Sequence, residues 1–501
     1  MVPAFTPTAE PTPAAGARAL SAPVLHALLF TSVLLLSISA APAQFASTSQ
    51  TVVWPVLDRH QHTLTRAAFE ERLPLYSPDG SIHDYLVMDP DGVTVHETPE
   101  KTRPLWTLKW AQPGDRRRDH APAFRFARTT LAEWTGASAE KPLAGLTIGL
   151  DPGHIGGAWA DIEERNLKIR GNPPIKEGDM ALIVAQHLAP LLEEAGARIA
   201  WIRDSLEPVT PLRPADLVEE AMQSMATLDD RTLARLTQAK FLRTHELRTN
   251  LLFYRPAEIG ARAERVRALK PDLTLCLHYN AAPWGRFSRP RLFNANKLVI
   301  FVHGAYTKGE LADEAQRFHL FRKLLEGSAD EELSVANDIA VALARGWGFP
   351  PENYDSWNVA TKAGDNPYVW ARNLLANRLF DGPVVFVEGP YMNDRAMFKR
   401  MLAGDYEGEK DFDGKMQRSI HREYAEYVAQ GVIAHYQRSF VGPGQESSAA
   451  TSSSEAPGPP PATSGEMPTD PGPDLPHEIP NALDPVPELE LPVAEPAHTG
   501  L

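Results

Sequence analysis

From about Pro142 onward, short apolar runs alternate with amphipathic stretches. Leu146–Leu150 (LTIGL), Arg198–Ile202, Leu273–Leu277 (LTLCL), Leu298–Val302 (LVIFV) and Val384–Val387 (VVFV) are short and rich in apolar side chains. That pattern predicts strands covered on both faces. Asp179–Ala195 instead places Met180, Ile183, Val184, Leu188, Leu191 and Leu192 at helical spacing and stops before Gly196, the residue type favoured just past a helix end. Pro190 inside it predicts a kink or a shortened last turn. Ser334–Arg345 and Arg418–Tyr436 have helical patterns too. Strands alternating with helices are the mark of an α/β domain. The expected architecture is a mixed, mostly parallel sheet with helices on both faces.

Two polar, helix-prone stretches interrupt the alternation. Residues 211–257 predict helices over Ala215–Ala226 and Arg231–Leu247, and Lys308–Glu332 predicts another charged helix. Both are expected as helical insertions leaving the sheet. Ahead of the sheet, residues 44–141 predict a small α+β domain of unknown role. Leu64–Leu73 has helical spacing there, and two Pro-Asp-Gly turns, at Pro78 and Pro90, separate short β-like runs. The sheet-bearing domain is expected over 142–440, between this small domain and a tail over 441–501.

Composition sharpens the ends of the chain. The net charge of −14 is concentrated in the tail, where residues 442–501 hold ten Asp/Glu, no Lys/Arg and 14 prolines. Such a segment buries too little apolar surface to offset its ordering entropy, which predicts a disordered acidic spacer. The remaining body is near neutral, which gives no basis for nucleic-acid binding. Cys276 is the single cysteine, so an intramolecular disulfide and a Cys-rich metal site are both excluded. At the other end, Ala27–Leu36 (ALLFTSVLLL) is followed by Ala41-Pro42-Ala43. This predicts a signal peptide over 1–43, and hence export to the periplasm or cell envelope. The apolar run is shorter than the ~20 residues of a membrane helix, so no stable membrane span is expected.

The candidate chemistry sits where the predicted strands end, the edge at which ligands of open α/β sheets collect. His154 follows LTIGLDPG, His278 follows LTLCL directly and Glu388 follows VVFV directly, while Glu177 stands at the start of a helix. Two imidazoles and a carboxylate form a donor set used by catalytic zinc sites, and a further carboxylate can carry the proton in such a site. That assigns His154, Glu177 and His278 as metal ligands and Glu388 as the proton-transfer group. The spacing is not a local motif, and a lone histidine after a strand is also compatible with simple packing. Asp151 fits a ligand-orienting role and a turn cap equally. Cys276, sharing strand parity with His278, is expected in the core, and Arg262 and Arg265 are expected in salt bridges. His303 is expected in core or rim packing.

Four blocks in order, GLDPGHIGG, KEGDMALIVAQHLAPLLEEAGARIAWIRD, RAERVRALKPDLTLCLHYNAA and GPVVFVEGPYMND, resemble the zinc-dependent N-acetylmuramoyl-L-alanine amidases of bacterial cell walls. The resemblance spans about Gly145 to Tyr436. It implies Zn2+ bound by His154, Glu177 and His278, catalysis by Glu388, and peptidoglycan as the partner and substrate, cut between N-acetylmuramic acid and L-alanine. It also implies that the helix within 308–332 could block the cleft, through Glu310, Asp313 or Glu314, until an activator protein moves it. The chain departs from the family pattern in its long His154–Glu177 segment, in Ile155 after the first histidine, in Gly178 where a lysine is usual, and in Cys276 where a serine is usual. The alternatives are a zinc hydrolase of another envelope amide bond, such as a carboxypeptidase or deacetylase, and a non-catalytic peptidoglycan-binding protein.

Overall fold

The computed structural model describes residues 52–115, 137–226, 238–282, 290–354 and 359–438. The expected signal peptide and acidic tail lie outside them. Among the described residues, no helix is long and apolar enough to cross a membrane.

The first described segment builds helix α1 (Arg66–Tyr76) and a three-stranded antiparallel meander, β1 (Leu86–Met88), β2 (Gly92–His96) and β3 (Pro104–Lys109). The Thr65 hydroxyl caps α1 by accepting the Ala68 N–H at 3.2 Å. The Pro-Asp-Gly turns fall where expected: Asp89 Oδ1 accepts the N–H groups of Asp91 and Gly92 at 2.8 Å, closing the β1–β2 hairpin.

The large sheet has seven strands: β4 (Thr147–Pro152), β5 (Arg198–Trp201), β6 (Leu273–Tyr279), β7 (Val299–His303), β8 (Thr361–Lys362), β9 (Val369–Arg372) and β10 (Val384–Gly389). Their spatial order is β8-β9-β7-β10-β6-β4-β5. The pairs β4–β5, β4–β6, β6–β10 and β7–β9 are parallel, whereas β10–β7 and β8–β9 are antiparallel. The sheet is therefore mixed and mostly parallel, with helices on both faces. One face packs on α2 (Glu177–Glu194), α7 (Ala329–Trp347) and α9 (Ile420–Gln437) through Leu150, Leu188, Leu277, Ile339, Val387 and Val428. The other packs on α5 (Glu258–Leu269) and α8 (Leu375–Leu379) through Cys276, Phe301, Phe386, Val266 and Leu379.

Both insertions are helical among the described residues. In the first, α3 (Val218–Ala226) and α4 (Gln238–Leu252) lead into α5 through a π-turn over Phe253–Ala257. That turn houses Pro256, which cannot take part in a regular i→i−4 ladder. Phe253, Leu217, Ala221 and Leu252 pack on Ile155, next to His154. The resemblance allows the second insertion to reach the same edge and block it. The direction of strand β7 prevents this. Glu388 is in register with Val299 and Phe386 with Phe301, so β7 carries the chain away from the Glu388 end by roughly 3.3 Å per residue. Helix α6 (Glu314–Glu326) consequently lies at the other end of the sheet. Its Leu320, Phe321 and Leu324 join Trp54, Phe69, Val95 and Trp106 in one apolar core. The first segment thus does not close its core within 52–115; α6 completes it.

Candidate metal centre and catalytic carboxylate

Each chemistry-bearing side chain is delivered to one edge by its element. Strand β4 ends at Pro152, and the next turn holds His154 at φ +58°, a left-handed conformation that non-glycine residues adopt only when surrounded by fixed contacts. Glu177 is the first residue of α2. His278 belongs to β6, and Glu388, on neighbouring β10, is its register partner.

One donor atom from each of His154, Glu177 and His278 lies within 4.8 Å of the others. His154 Nε2 is 3.4 Å from Glu177 Oε2, and His278 Nδ1 is 3.1 Å from Glu177 Oε1. The Glu177 carboxylate is buried between the two rings and also accepts the Tyr279 N–H at 3.1 Å. Phe386 stacks on the His278 ring at 4.0 Å between centroids. Gly153 makes room for that ring, since a Cβ there would sit 2.3 Å from His278 Cε1. Tyr424 Oη, 2.8 Å from the Val387 carbonyl and 3.1 Å from that of His278, ties the ends of β10 and β6 together.

The electrostatics follow from this crowding. Burial alone would raise the Glu177 carboxyl, yet His154 and His278 hold it well below the usual carboxylate range. Burial opposes charge on His154 too, but Glu177 and Glu163 raise it. His278 is lowered by burial and by the charge of His154. Burial, reinforced by the Glu177 charge, pushes Glu388 up to about 8. The chemistry of the donor set, two imidazole nitrogens and one carboxylate oxygen, suits Zn2+. Among the described residues no further His, Cys, Asp or Glu joins the cluster. Cys276 points elsewhere, to Asp151 Oδ2 at 3.7 Å.

Two buried arginines hold the His154 turn. Arg262 donates to Glu258 at 2.8 Å, to Asp151 at 3.0 Å, and to the carbonyls of Pro152 and His154 at 3.1 and 2.9 Å. Arg203 donates to the carbonyls of Pro152 at 2.9 Å, Ile155 at 3.2 Å and Gly178 at 2.9 Å. Asp151 therefore orients the turn through Arg262. Arg203 went unnoticed in the sequence because "WIRD" reads as a plain strand end. Glu163 was missed as well; it sits in the long segment after His154, its Oε1 3.6 Å from His154 Nδ1 and its Oε2 accepting the Ile155 N–H at 2.7 Å. The Gly178 departure also has a physical reason: a Cβ there would lie 2.4 Å from Gly156 N, so the backbone of the first block occupies that space.

Other polar and aromatic side chains on and around these elements are structural. Asn280 Oδ1 accepts the Ala281 N–H at 2.7 Å, and Asn393 brackets Ala282 through both its amide atoms. His303 and Tyr306 are buried against each other at 3.0 Å, at the end of β7 away from Glu388. His187 pairs with Asp405 at 3.0 Å, and Trp159 packs on Phe253. The acids of 308–332, which the resemblance would allow to block the cleft, have other partners. Glu310 accepts from Thr307 and Asn373, Asp313 caps α6 at Ala315, and Glu314 accepts the Trp54 indole N–H at 2.9 Å. The antiparallel course of β7 has carried them away.

Among the solved structures similar to this chain are several N-acetylmuramoyl-L-alanine amidases and related amidases. They include AmiC2 of Nostoc punctiforme (15% identity, 59% of this chain and 99% of that one, TM-score 0.31). Ami1 from Mycobacterium smegmatis matches to the same extent (15%, 59% and 99%, TM-score 0.31). The CwlD amidase from Clostridioides difficile, in complex with the GerS lipoprotein, is another (14%, 58% and 98%, TM-score 0.31). No protein-family model matches the chain, and no curated protein matches it in sequence.

Proposed function

We propose that this chain is an exported zinc-dependent N-acetylmuramoyl-L-alanine amidase, which hydrolyses the amide joining N-acetylmuramic acid to the L-alanine of the peptidoglycan stem. The observation that carries the reading is the meeting of His154, Glu177 and His278 within 4.8 Å, with Glu388 in register beside His278. Four residues spread over more than 230 positions of sequence converge on one sheet edge, and the four blocks that hold them resemble one family of enzymes. The apolar segment Ala27–Leu36 and the small residues after it support export to the compartment where peptidoglycan lies.

His154, Glu177 and His278 would hold the Zn2+ ion. Bound there, zinc supplies Lewis acidity toward an amide carbonyl and acidifies water. Beside a bound cation the Glu388 carboxyl, raised in the metal-free site, would be returned to its ionised form; it then takes the proton of the attacking water and returns it to the departing alanine nitrogen, so one carboxyl serves as base and then as acid. Its place on the strand next to His278 keeps it close to the three ligands without being one of them. Arg262 and Arg203 hold the His154 turn so that the imidazole does not need to be ordered at each encounter.

The test separates holding from proton transfer. Glu388→Gln should keep about one zinc per chain while turnover of purified peptidoglycan falls by at least ~100-fold. His154→Ala and His278→Ala should lose both. Loss of zinc from Glu388→Gln, or its full activity, would contradict the assignment.

A further inference from the structure

We propose that Glu163 is a positioning residue that keeps the His154 proton on Nδ1 and leaves the Nε2 lone pair for the metal. This rests on the metal-site reading above. The two nitrogens of the ring face different carboxylates. Nε2 is 3.4 Å from Glu177 Oε2, and Nδ1 is 3.6 Å from Glu163 Oε1. The side chain of Glu163 is 3% exposed, and its second oxygen is committed to the Ile155 N–H at 2.7 Å. That bond aims the first oxygen at the ring. The backbone of His154 is separately anchored, because Arg262 donates to its carbonyl at 2.9 Å. Among the described residues, Glu163 is the carboxylate on the far side of this imidazole.

A neutral imidazole carries one N–H, and a carboxylate that can only accept selects the tautomer with the proton on the nitrogen facing it. An acceptor in that place also raises the basicity of the other nitrogen toward a metal. Glutamine fills the same space but inverts the instruction. Its oxygen must serve the Ile155 N–H, so its NH2 group faces His154 Nδ1 and donates to it. The ring proton then moves to Nε2, the atom turned toward Glu177.

The experiment measures zinc affinity of the full chain by competition with a chromogenic chelator, for wild type and Glu163→Gln. It is paired with long-range 1H–15N NMR of the histidine rings in zinc-loaded wild type, because in metal-free protein Glu177 also faces Nε2 at 3.4 Å. Glu163→Gln should bind zinc about 10–100-fold more weakly while its metal-free unfolding midpoint stays close to wild type. In the zinc-loaded wild type the His154 ring should carry its proton on Nδ1 and the ion on Nε2. Equal zinc affinity of Glu163→Gln and wild type overturns the role of Glu163 alone. A zinc-loaded wild type with the His154 proton on Nε2 does the same, and needs no variant. A wild type that binds no zinc removes the metal reading and this role with it.

Discussion

Gly178→Ala tests whether the close approach of the first block to helix α2 is as rigid as its contacts imply. In an open helical position, alanine in place of glycine is favourable by up to about 1 kcal/mol. At Gly178 the new Cβ would lie 2.4 Å from Gly156 N, 2.7 Å from Gly156 Cα and 2.7 Å from the Ile155 carbonyl carbon. All three are backbone atoms, so no side chain can rotate out of the way. Relief requires the 155–156 backbone to move by about 1 Å, and that backbone is held on several sides. Gly157 N–H donates to Asp179 at 2.6 Å, Ile155 N–H donates to Glu163, and Arg203 grips the carbonyls of Ile155 and Gly178. Overpacking of this kind costs about 1–3 kcal/mol, which offsets the propensity gain and leaves a net loss of up to about 2 kcal/mol. Gly260, in α5, is the internal control: nothing lies within 4 Å of a Cβ built there, so Gly260→Ala should stabilise by about 0.5–1 kcal/mol. The assay is urea denaturation followed by circular dichroism with a chelator present, so that metal binding does not enter. The reasoning is refuted if Gly178→Ala proves as stable as wild type, or if the two alanine variants shift in the same direction.

Other perturbations follow from the same contacts. Arg262→Met leaves Asp151 and Glu258 buried without their shared cation, and calorimetry should show a loss of about 3–5 kcal/mol. Phe321→Ala opens the core where α6 meets Trp54, Phe69 and Trp106; it should cost about 3–5 kcal/mol without raising activity. Glu314→Gln should likewise leave activity unchanged. His421 is held down to about 4 by burial, with His187 and Arg400 adding to it and Asp405 opposing. The unfolded chain therefore takes up this proton first as pH falls from about 6.5 toward 4. Stability contributed by the neutral ring is complete above that window and is lost within it, by up to about 3 kcal/mol. The fall in unfolding free energy between pH 7 and pH 4.5 should be smaller in His421→Asn than in wild type.

What could be read from the sequence was what is local and periodic. LTLCL and VVFV are buried on both faces, so the polar residue that ends each run, His278 or Glu388, must emerge at a sheet edge. Glu177 was legible because it opens an amphipathic helix. Strand direction was not legible. An apolar run such as LVIFV has the same pattern whichever way it enters the sheet, and the reversal of β7 moved the 308–332 helix to the other end. The supports of His154 were hidden for a different reason. Glu163 and Arg203 look like ordinary surface charges in the sequence and Arg262 like one half of a helix salt bridge, and their pairing with one turn depends on contacts over up to 110 positions. Gly178 looked like a lost lysine until the Gly156 backbone was seen against it.

Mass analysis of the products released from purified peptidoglycan, with zinc supplied, tests the central claim most directly. The account predicts stem peptides with a free L-alanine amino terminus and glycan strands that keep their lactyl carboxylates, released by wild type and absent with Glu388→Gln. Shortened stems still attached to the glycan, deacetylated sugars, or no product at all from a zinc-loaded wild type would contradict it.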